Sequence, residues 1–120
     1  MTKLLLVQYP NCSTCRKASK WLADDNIDIE SRHIVEDTPT KDELAEWINR
    51  SELPVKKFFN TSGKVYREMN LKDKVKTASE EELIKLLASD GMLIKRPIVV
   101  ADDFVLVGFK EEEWKEKLLK

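Results

Sequence analysis

The sequence predicts an α/β fold in which a βαβ unit and a ββα unit are separated by a helical segment. An apolar run near the start predicts a buried strand, and the residues after it repeat at helical spacing. Two β-rich stretches and a helical stretch then stand at the end. The length of 120 residues fits one domain, residues 1–120, with the helical segment at about residues 38–95.

The βαβ unit lies in the first third of the chain. Residues 3–8 contain the run Leu4–Val7, which is typical of a strand with both faces covered. From Ser13 to about Asp25, apolar residues recur every three or four positions, which predicts an amphipathic helix. A second strand is indicated by Ile27, Ile29 and Ile34. We expect the two strands to pair in parallel across the helix.

The helical segment carries two start signals. Thr40 with Glu43 has the spacing of a capping box, and Ser79 with Glu82 repeats that spacing before a second apolar stripe. We expect Gly91 to end this second helix in the left-handed conformation.

The last quarter of the chain completes the predicted order. Ile98–Val100 and Phe104–Val107 indicate an antiparallel hairpin, and Lys110–Leu119 indicates a terminal helix. Together with the βαβ unit, this is the order of a thioredoxin-like (glutaredoxin-like) fold. A Cys-x-x-Cys pair beside a βαβ unit in a cytosolic protein supports the same assignment.

Charge and hydropathy argue against several classes of function. The chain has 21 Lys and Arg against 22 Asp and Glu, so no overall positive field favours direct nucleic-acid binding. Its apolar runs are too short for a membrane helix or a signal peptide, so we expect a cytoplasmic protein without membrane contact. Residues 55–77 hold seven basic and two acidic side chains. This stretch is either an ordinary solvated face or a surface for an acidic protein or anionic substrate.

Cys12 and Cys15 are the two cysteines of the chain. The loop between them is too short to hold distant elements together, and the sole histidine, His33, cannot complete a four-ligand zinc site. The spacing favours a reversible Cys12–Cys15 disulfide, with Cys12 as the nucleophile and Cys15 as the resolving cysteine. We expect neither a metal nor a bound cofactor. The alternative is that both residues are small buried apolar side chains.

The position of Cys12 favours an ionised thiol. It lies between a strand end and a helix start, where backbone N–H groups and the helix dipole favour an anion. Arg96, which precedes Pro97, offers a guanidinium that can pair with a thiolate or an oxyanion, unless it is an exposed structural arginine. Weaker candidates are Gln8, Asn60, Ser62, Lys64 and Arg67.

Three segments of the chain resemble the glutaredoxin-like arsenate reductase family, which also contains the Spx and MgsR type of redox regulator. They are Pro10–Ala18, which holds the Cys-x-x-Cys pair, Thr38–Leu44 and Lys95–Val100. The resemblance implies a nucleophilic cysteine at Cys12, in a thioredoxin-like domain with a helical insertion. The catalytic candidates are then Cys12, Cys15 and Arg96, and the substrate-binding candidates are Asn11, Ser13, Thr14, Asn60, Arg67 and Pro97.

Departures from the pattern of the arsenate reductases favour thiol–disulfide chemistry over arsenate reduction. Those enzymes hold the arsenic intermediate with three arginines before glutathione and glutaredoxin resolve it. Arg96 matches one of them, whereas the other two positions hold Asn60 and Phe109. Each missing clamp removes bonds of about 1.5 to 3 kcal/mol. The histidine that helps to activate the nucleophile is replaced by Gln8.

Cys15 and the segment Val107–Glu111 are similar to the Spx type instead. Such a regulator binds the RNA polymerase α subunit and shows little turnover. An oxidoreductase takes a thiol or disulfide protein, or a small thiol, as its partner, and glutathione, glutaredoxin or thioredoxin as its external reductant. The glycine of the Spx-type polymerase contact aligns with Pro54, which has a fixed φ and no N–H. The sequence therefore predicts a thiol–disulfide oxidoreductase of the arsenate reductase family, with the redox-sensing regulator as the alternative.

Overall fold

A four-stranded mixed sheet confirms the predicted α/β class. The computed structural model describes residues 4–119. Its strands are β1 (Leu5–Gln8), β2 (Glu30–His33), β3 (Ile98–Val100) and β4 (Val105–Val107). They lie in the order β2-β1-β3-β4, and β1 pairs in parallel with β2 and antiparallel with β3. The β3–β4 pair is the predicted antiparallel hairpin.

Six α-helices accompany the sheet within residues 4–119. They are α1 (Ser13–Asp24), α2 (Lys41–Ser51), α3 (Lys64–Glu68), α4 (Lys72–Thr77), α5 (Glu80–Ser89) and α6 (Glu111–Leu118). Two short 3₁₀ helices lie at Val55–Phe58 and Gly91–Leu93. None of the helices in the described part of the chain is long and apolar enough to cross a bilayer.

The chain divides into two units. The sheet unit comprises the residues up to His33 and those from Arg96 onward, and it contains the four strands with α1 and α6. The helical unit is Ile34–Lys95 and contains α2 to α5. The helical segment expected at about residues 38–95 lies within this second unit.

The core of the sheet unit explains where α1 begins. Leu6 and Val7 are adjacent in β1 and 2% and 0% exposed, so both faces of the strand are buried, as the apolar run predicted. The predicted start of this strand at residue 3 lies outside the described residues. One buried cluster joins the sheet to the two helices: Leu6, Ala18, Leu22, Val99, Leu106 and Trp114. This packing holds α1 against the sheet, and the first turn of α1 follows the carboxyl end of β1.

Side-chain caps start the two longer helices of the helical unit, as predicted. Thr40 Oγ1 accepts a hydrogen bond from the Glu43 N–H at 3.1 Å, and Glu43 Oε1 accepts one from the Thr40 N–H at 3.0 Å. Ser79 Oγ likewise accepts from the Glu82 N–H at 3.2 Å. These bonds satisfy donors that the first turn of a helix leaves without a partner.

The second strand starts later than its isoleucines predicted. The chain leaves α1 through Asn26, which has a φ of 56°, and the Ile27 N–H donates to the Leu22 carbonyl at 3.0 Å. Ile27 and Ile29 pack against the core cluster before pairing begins with the bond from the Glu30 N–H to the Leu4 carbonyl. Apolar burial therefore precedes strand pairing at this point.

The prediction that Gly91 ends a helix in the left-handed conformation is wrong. α5 ends because Asp90 is extended, with a φ of −156°, and its carboxylate accepts from the Met92 N–H at 2.9 Å. Gly91 lies in the 3₁₀ helix that follows, and a Cβ atom on it would stand 2.1 Å from the Ile34 carbonyl oxygen. The close approach of that backbone is what requires glycine here.

We expect Gly91→Ala to lower the free energy of unfolding by about 2 kcal/mol or more, because the added Cβ can only be accommodated by a backbone shift. Urea denaturation measures this loss. Gly63→Ala is the matched control, since its Cβ first meets the Asn60 side-chain Nδ2, at 2.7 Å, which can rotate away. Equal losses in the two variants would contradict the argument.

Candidate active site

Cys12 occupies the junction between β1 and α1. It is the N-cap residue of α1, with extended backbone (φ −93°, ψ 123°), and its carbonyl accepts from the Arg16 N–H at 3.0 Å. Its own N–H donates to the Tyr9 carbonyl at 3.0 Å. The first turn of α1, which is described in full, carries no acidic side chain. The amide groups and the dipole of the helix therefore act on the thiol without a competing carboxylate.

Opposing effects act on the Cys12 thiol, and the pKa of Cys12 is lowered overall. Partial burial raises it, because the thiolate loses solvation. Hydrogen bonding outweighs burial, through the backbone N–H and thiol of Cys15, the Arg96 guanidinium and the backbone N–H of Thr14. A lowered pKa increases the thiolate fraction at neutral pH, and the thiolate is the nucleophilic form.

Cys15 is shifted in the other direction. Its side chain is fully buried, and burial raises the pKa of Cys15 to about 12. The hydrogen bond to Cys12 and the negative charge of the Cys12 thiolate contribute to this rise. The Tyr9 N–H, which donates to Cys15 Sγ at 3.5 Å, and the positive charge of Arg96 oppose this rise. Both cysteines are free thiols. The pair therefore consists of a partly exposed thiol with a lowered pKa and a buried thiol with a raised pKa.

Arg96 lies beside this pair. The Arg96–Pro97 peptide bond is cis, and the half-buried arginine hydrogen-bonds to the Cys12 side chain. Its Cζ atom also lies 5.2 Å from the centroid of the Tyr9 ring. Arg96 is thus positioned to stabilise a negative charge on the sulfur, whereas the alternative of an exposed structural arginine does not describe its surroundings.

The substrate-binding candidates next to Cys12 differ in exposure. Asn11, Ser13 and Thr14 are exposed around the thiol, and Pro97 is buried, with its carbonyl accepting from the Gly108 N–H at 2.8 Å. Their roles toward a substrate stay predictions.

Asn60 and Arg67 belong to the helical unit. The Asn60 N–H donates to the Leu93 carbonyl at 2.8 Å, and its Oδ1 accepts from Ser62 Oγ at 3.4 Å. Arg67 is exposed on α3. Their contribution to substrate binding also stays a prediction.

Gln8, which replaces the activating histidine, has a structural place. Its Nε2 donates to Ser31 Oγ at 2.5 Å, and its Oε1 accepts from Ser19 Oγ at 3.2 Å. The amide therefore links β1 to β2 and α1. A carboxamide also does not gain a proton near neutral pH, so Gln8 cannot act as a general base toward Cys12.

Phe109, at the position of a missing arginine, packs in an aromatic cluster. Its ring centroid lies 4.8 Å from that of Trp114 and 6.2 Å from that of Trp21, in edge-to-face geometry. The side chain at this position thus stabilises the contact between α1 and α6 rather than binding an anion.

Tyr9 is the residue that the sequence analysis missed. Its backbone contacts both cysteines, and its ring contacts Arg96 and meets His33 edge-on at 5.7 Å. The sequence offers one signal, an aromatic residue three positions before Cys12. That signal does not reveal which side chain faces the ring.

No group of three or more His, Cys, Asp or Glu side chains with the geometry of a metal site occurs among residues 4–119.

Comparison with known sequences finds one matching family and several bacterial relatives. The sequence model of the ArsC family matches residues 7–117. The uncharacterized protein YusI of Bacillus subtilis is 54% identical over 108 residues, which cover 90% of this chain and 92% of YusI. The regulatory protein MgsR of the same organism is 28% identical, covering 92% of this chain and 86% of MgsR. The global transcriptional regulator Spx of Streptococcus pyogenes is 30% identical, covering 87% of this chain and 76% of Spx.

Solved structures agree with the sequence comparison. An ArsC family related protein from Bacteroides fragilis is 60% identical and superimposes with a TM-score of 0.93, covering 95% of this chain and 96% of the other. A possible arsenate reductase from Streptococcus mutans is 41% identical, with a TM-score of 0.86 and coverage of 96% and 99%. The thioredoxin-like fold class is therefore confirmed.

We expect Arg96→Ala to raise the pKa of Cys12, because a hydrogen-bonding positive charge is lost from the thiolate. At about pH 6 to 7 a smaller fraction of the Cys12 thiol is then ionised, so alkylation of the variant by iodoacetamide is slower than that of the wild type. The two rates converge at high pH, where both thiols are ionised. Arg96→Lys recovers part of the effect, since the charge survives without the planar fork. The measurement is the alkylation rate against pH on a Cys15→Ser background. Superimposable curves would show that Arg96 does not act on Cys12.

Proposed function

The chain belongs to the ArsC family, and we propose that within this family it works as a thiol–disulfide oxidoreductase, with Cys12 as the nucleophile and Cys15 as the resolving cysteine. The observation that carries the proposal is the contrast between the two hydrogen-bonded thiols. Cys12 is partly exposed and has a lowered pKa, whereas Cys15 is buried and has a raised one. A partner can therefore reach the sulfur that ionises more readily but not the buried one.

In the first step, the Cys12 thiolate attacks one sulfur of a disulfide in the partner. The partner's S–S bond breaks, and a Cys12–partner mixed disulfide forms. The other partner sulfur leaves as a thiolate and takes a proton from solvent. The donors around Cys12, including Arg96, stabilise its thiolate before attack.

In the second step, Cys15 attacks Cys12 Sγ. Formation of the mixed disulfide removes the negative charge of Cys12, and with it two of the effects that raise the pKa of Cys15. Cys15 then loses its proton to solvent more readily and attacks, which forms the Cys12–Cys15 disulfide and expels the partner's second thiolate. A thiol of lower pKa is the better leaving group. The donors that lower the pKa of Cys12 therefore also favour the steps of the return reaction in which Cys12 leaves as a thiolate.

The complete cycle transfers two electrons. Two thiols of this chain become a disulfide while the partner's disulfide becomes two thiols. Two thiol groups of an external reductant, such as two glutathione molecules or the dithiol of glutaredoxin or thioredoxin, then become a disulfide and return the chain to its reduced form. The partner is a disulfide protein or a small disulfide. Arsenate is disfavoured as the substrate. Gln8 stands where the arsenate reductases have an activating histidine, and Asn60 and Phe109 stand where they have two of their arginines, and none of the three carries a positive charge.

A redox-sensing regulator is the second candidate, and the names of two relatives favour it. MgsR is a regulatory protein and Spx a global transcriptional regulator. In this case the same Cys12–Cys15 disulfide would change the affinity for the RNA polymerase α subunit rather than reduce a substrate. Pro54, exposed at the start of a 3₁₀ helix, has no N–H to offer to such a partner.

We expect the two thiols to disappear together on mild oxidation and to return together with dithiothreitol, because the resolving thiol is adjacent to the nucleophile. Thiol titration with mass spectrometry measures this, and the product should be a monomer lighter by two hydrogens. Two free thiols under every oxidant tried would contradict the proposed Cys12–Cys15 disulfide. Cys15→Ser is the control, and it should give mixed or intermolecular disulfides instead.

A Cys15→Ser variant should trap partners, because the mixed disulfide at Cys12 can no longer be resolved from within the chain. The experiment is affinity capture from extract, elution with dithiothreitol and mass spectrometry of the eluate, with Cys12→Ser/Cys15→Ser as the matched control. Disulfide-linked proteins that are absent from the control, together with turnover of the wild type on them, support the oxidoreductase. Recovery of RNA polymerase α with both variants, without turnover, would instead favour the regulator.

A further inference from the structure

Three parts of Tyr9 contact three members of the site. Its carbonyl accepts from the Cys12 N–H at 3.0 Å, and its N–H donates to Cys15 Sγ at 3.5 Å. Its ring lies under the Arg96 guanidinium, with Cζ 5.2 Å from the ring centroid. Any residue other than proline could make both backbone contacts at this position, since proline lacks the N–H. The ring contact depends on the side chain.

We propose that Tyr9 is a positioning residue, whose ring holds the Arg96 guanidinium against the Cys12 sulfur. The inference rests on the proposed role of Cys12 as nucleophile, and it adds a residue that acts on Cys12 through the arginine.

The geometry of a guanidinium allows both contacts at once. An aromatic face attracts the flat face of the guanidinium, because the ring carries negative charge density there. The N–H groups of the arginine lie in the plane of the guanidinium and remain available for hydrogen bonds to the sulfur. An arginine side chain also has many rotamers, so a surface that fixes its plane raises the population of the conformer that reaches Cys12.

The Tyr9 ring is itself held in place. His33, at the end of β2, meets it with an interplanar angle of 87° and a centroid distance of 5.7 Å. Tyr9 is half-buried and lies outside the core cluster that joins the sheet to α1 and α6. Its side chain can therefore be exchanged with less disturbance of the fold than a core residue.

The test measures the pKa of Cys12 from the pH dependence of iodoacetamide alkylation, with mass spectrometry to locate the label. We expect Tyr9→Leu to raise this pKa by about 0.5 to 1 unit, which slows alkylation about three- to tenfold at pH values well below the pKa. The rise should not exceed that of Arg96→Ala. Tyr9→Phe, which keeps the aromatic face, should restore a value close to that of the wild type.

Two comparisons distinguish positioning from a general loss of structure. In the Arg96→Ala background, Tyr9→Leu should cause no further rise, because the group through which the ring acts is absent. Phe104→Leu is the matched control: it removes a similar cation–ring contact, that of Lys117 Nζ at 5.8 Å, at the β3–β4 hairpin, and should leave the pKa of Cys12 unchanged. Additive shifts, or no shift with Tyr9→Leu, would overturn the proposal.

A shape-conserving replacement covers the case in which Tyr9→Leu fails to fold. Pentafluorophenylalanine at position 9 keeps the ring but reverses the charge distribution of its face, so the pKa of Cys12 should rise relative to Tyr9→Phe. Equal values in the two would overturn the proposal. Because these experiments measure the thiol and not turnover, their failure leaves the proposed oxidoreductase standing. If partner trapping fails, the role of Tyr9 is still decided by the pKa of Cys12 in the Tyr9 variants.

Discussion

A partly buried thiolate must find donors inside the protein to replace those that water supplies to an exposed one. Around Cys12 these donors come from the first turn of α1, from the neighbouring thiol of Cys15 and from Arg96. The first two depend on α1, and the third depends on β3. The helix must start at Cys12, Cys15 must be one turn further on, and β3 must bring Arg96 to the carboxyl end of β1. The packing of β1, β3 and α1 thus lowers the pKa of one cysteine.

The two sulfurs also control each other. While Cys12 is ionised, its charge and its hydrogen bond keep the proton on Cys15, and covalent modification of Cys12 relieves both effects. The order of events in the proposed cycle therefore follows from electrostatics between neighbouring atoms. Burial of Cys15 adds to this order, since an external oxidant first meets the partly exposed Cys12.

Much of this arrangement could be predicted from the sequence, because it depends on local signals. The Leu4–Val7 run specified β1, the capping residues Thr40 and Ser79 specified two helix starts, and the cysteine spacing placed both thiols in one turn. Contacts between distant segments were less accessible. Gly91 was misjudged because its neighbour, the Ile34 carbonyl, is remote in sequence, and Tyr9 was overlooked because its ring faces Arg96 and His33 across the sheet.

The sheet unit is assembled from two segments that are distant in sequence, since Leu5 pairs with Val100 and the helical unit intervenes. During synthesis on a ribosome, Cys12 emerges well before Arg96 and the two strands that follow it. A nascent chain consequently exposes its thiols without the arginine that stabilises the thiolate, so Cys12 is less ionised and less reactive than in the finished protein. Pairing of such distant segments is slow in folding, so this interval is long compared with the formation of a local helix. The sequence order of the fold thereby makes the contribution of Arg96 to the Cys12 thiolate depend on the pairing of β1 with β3.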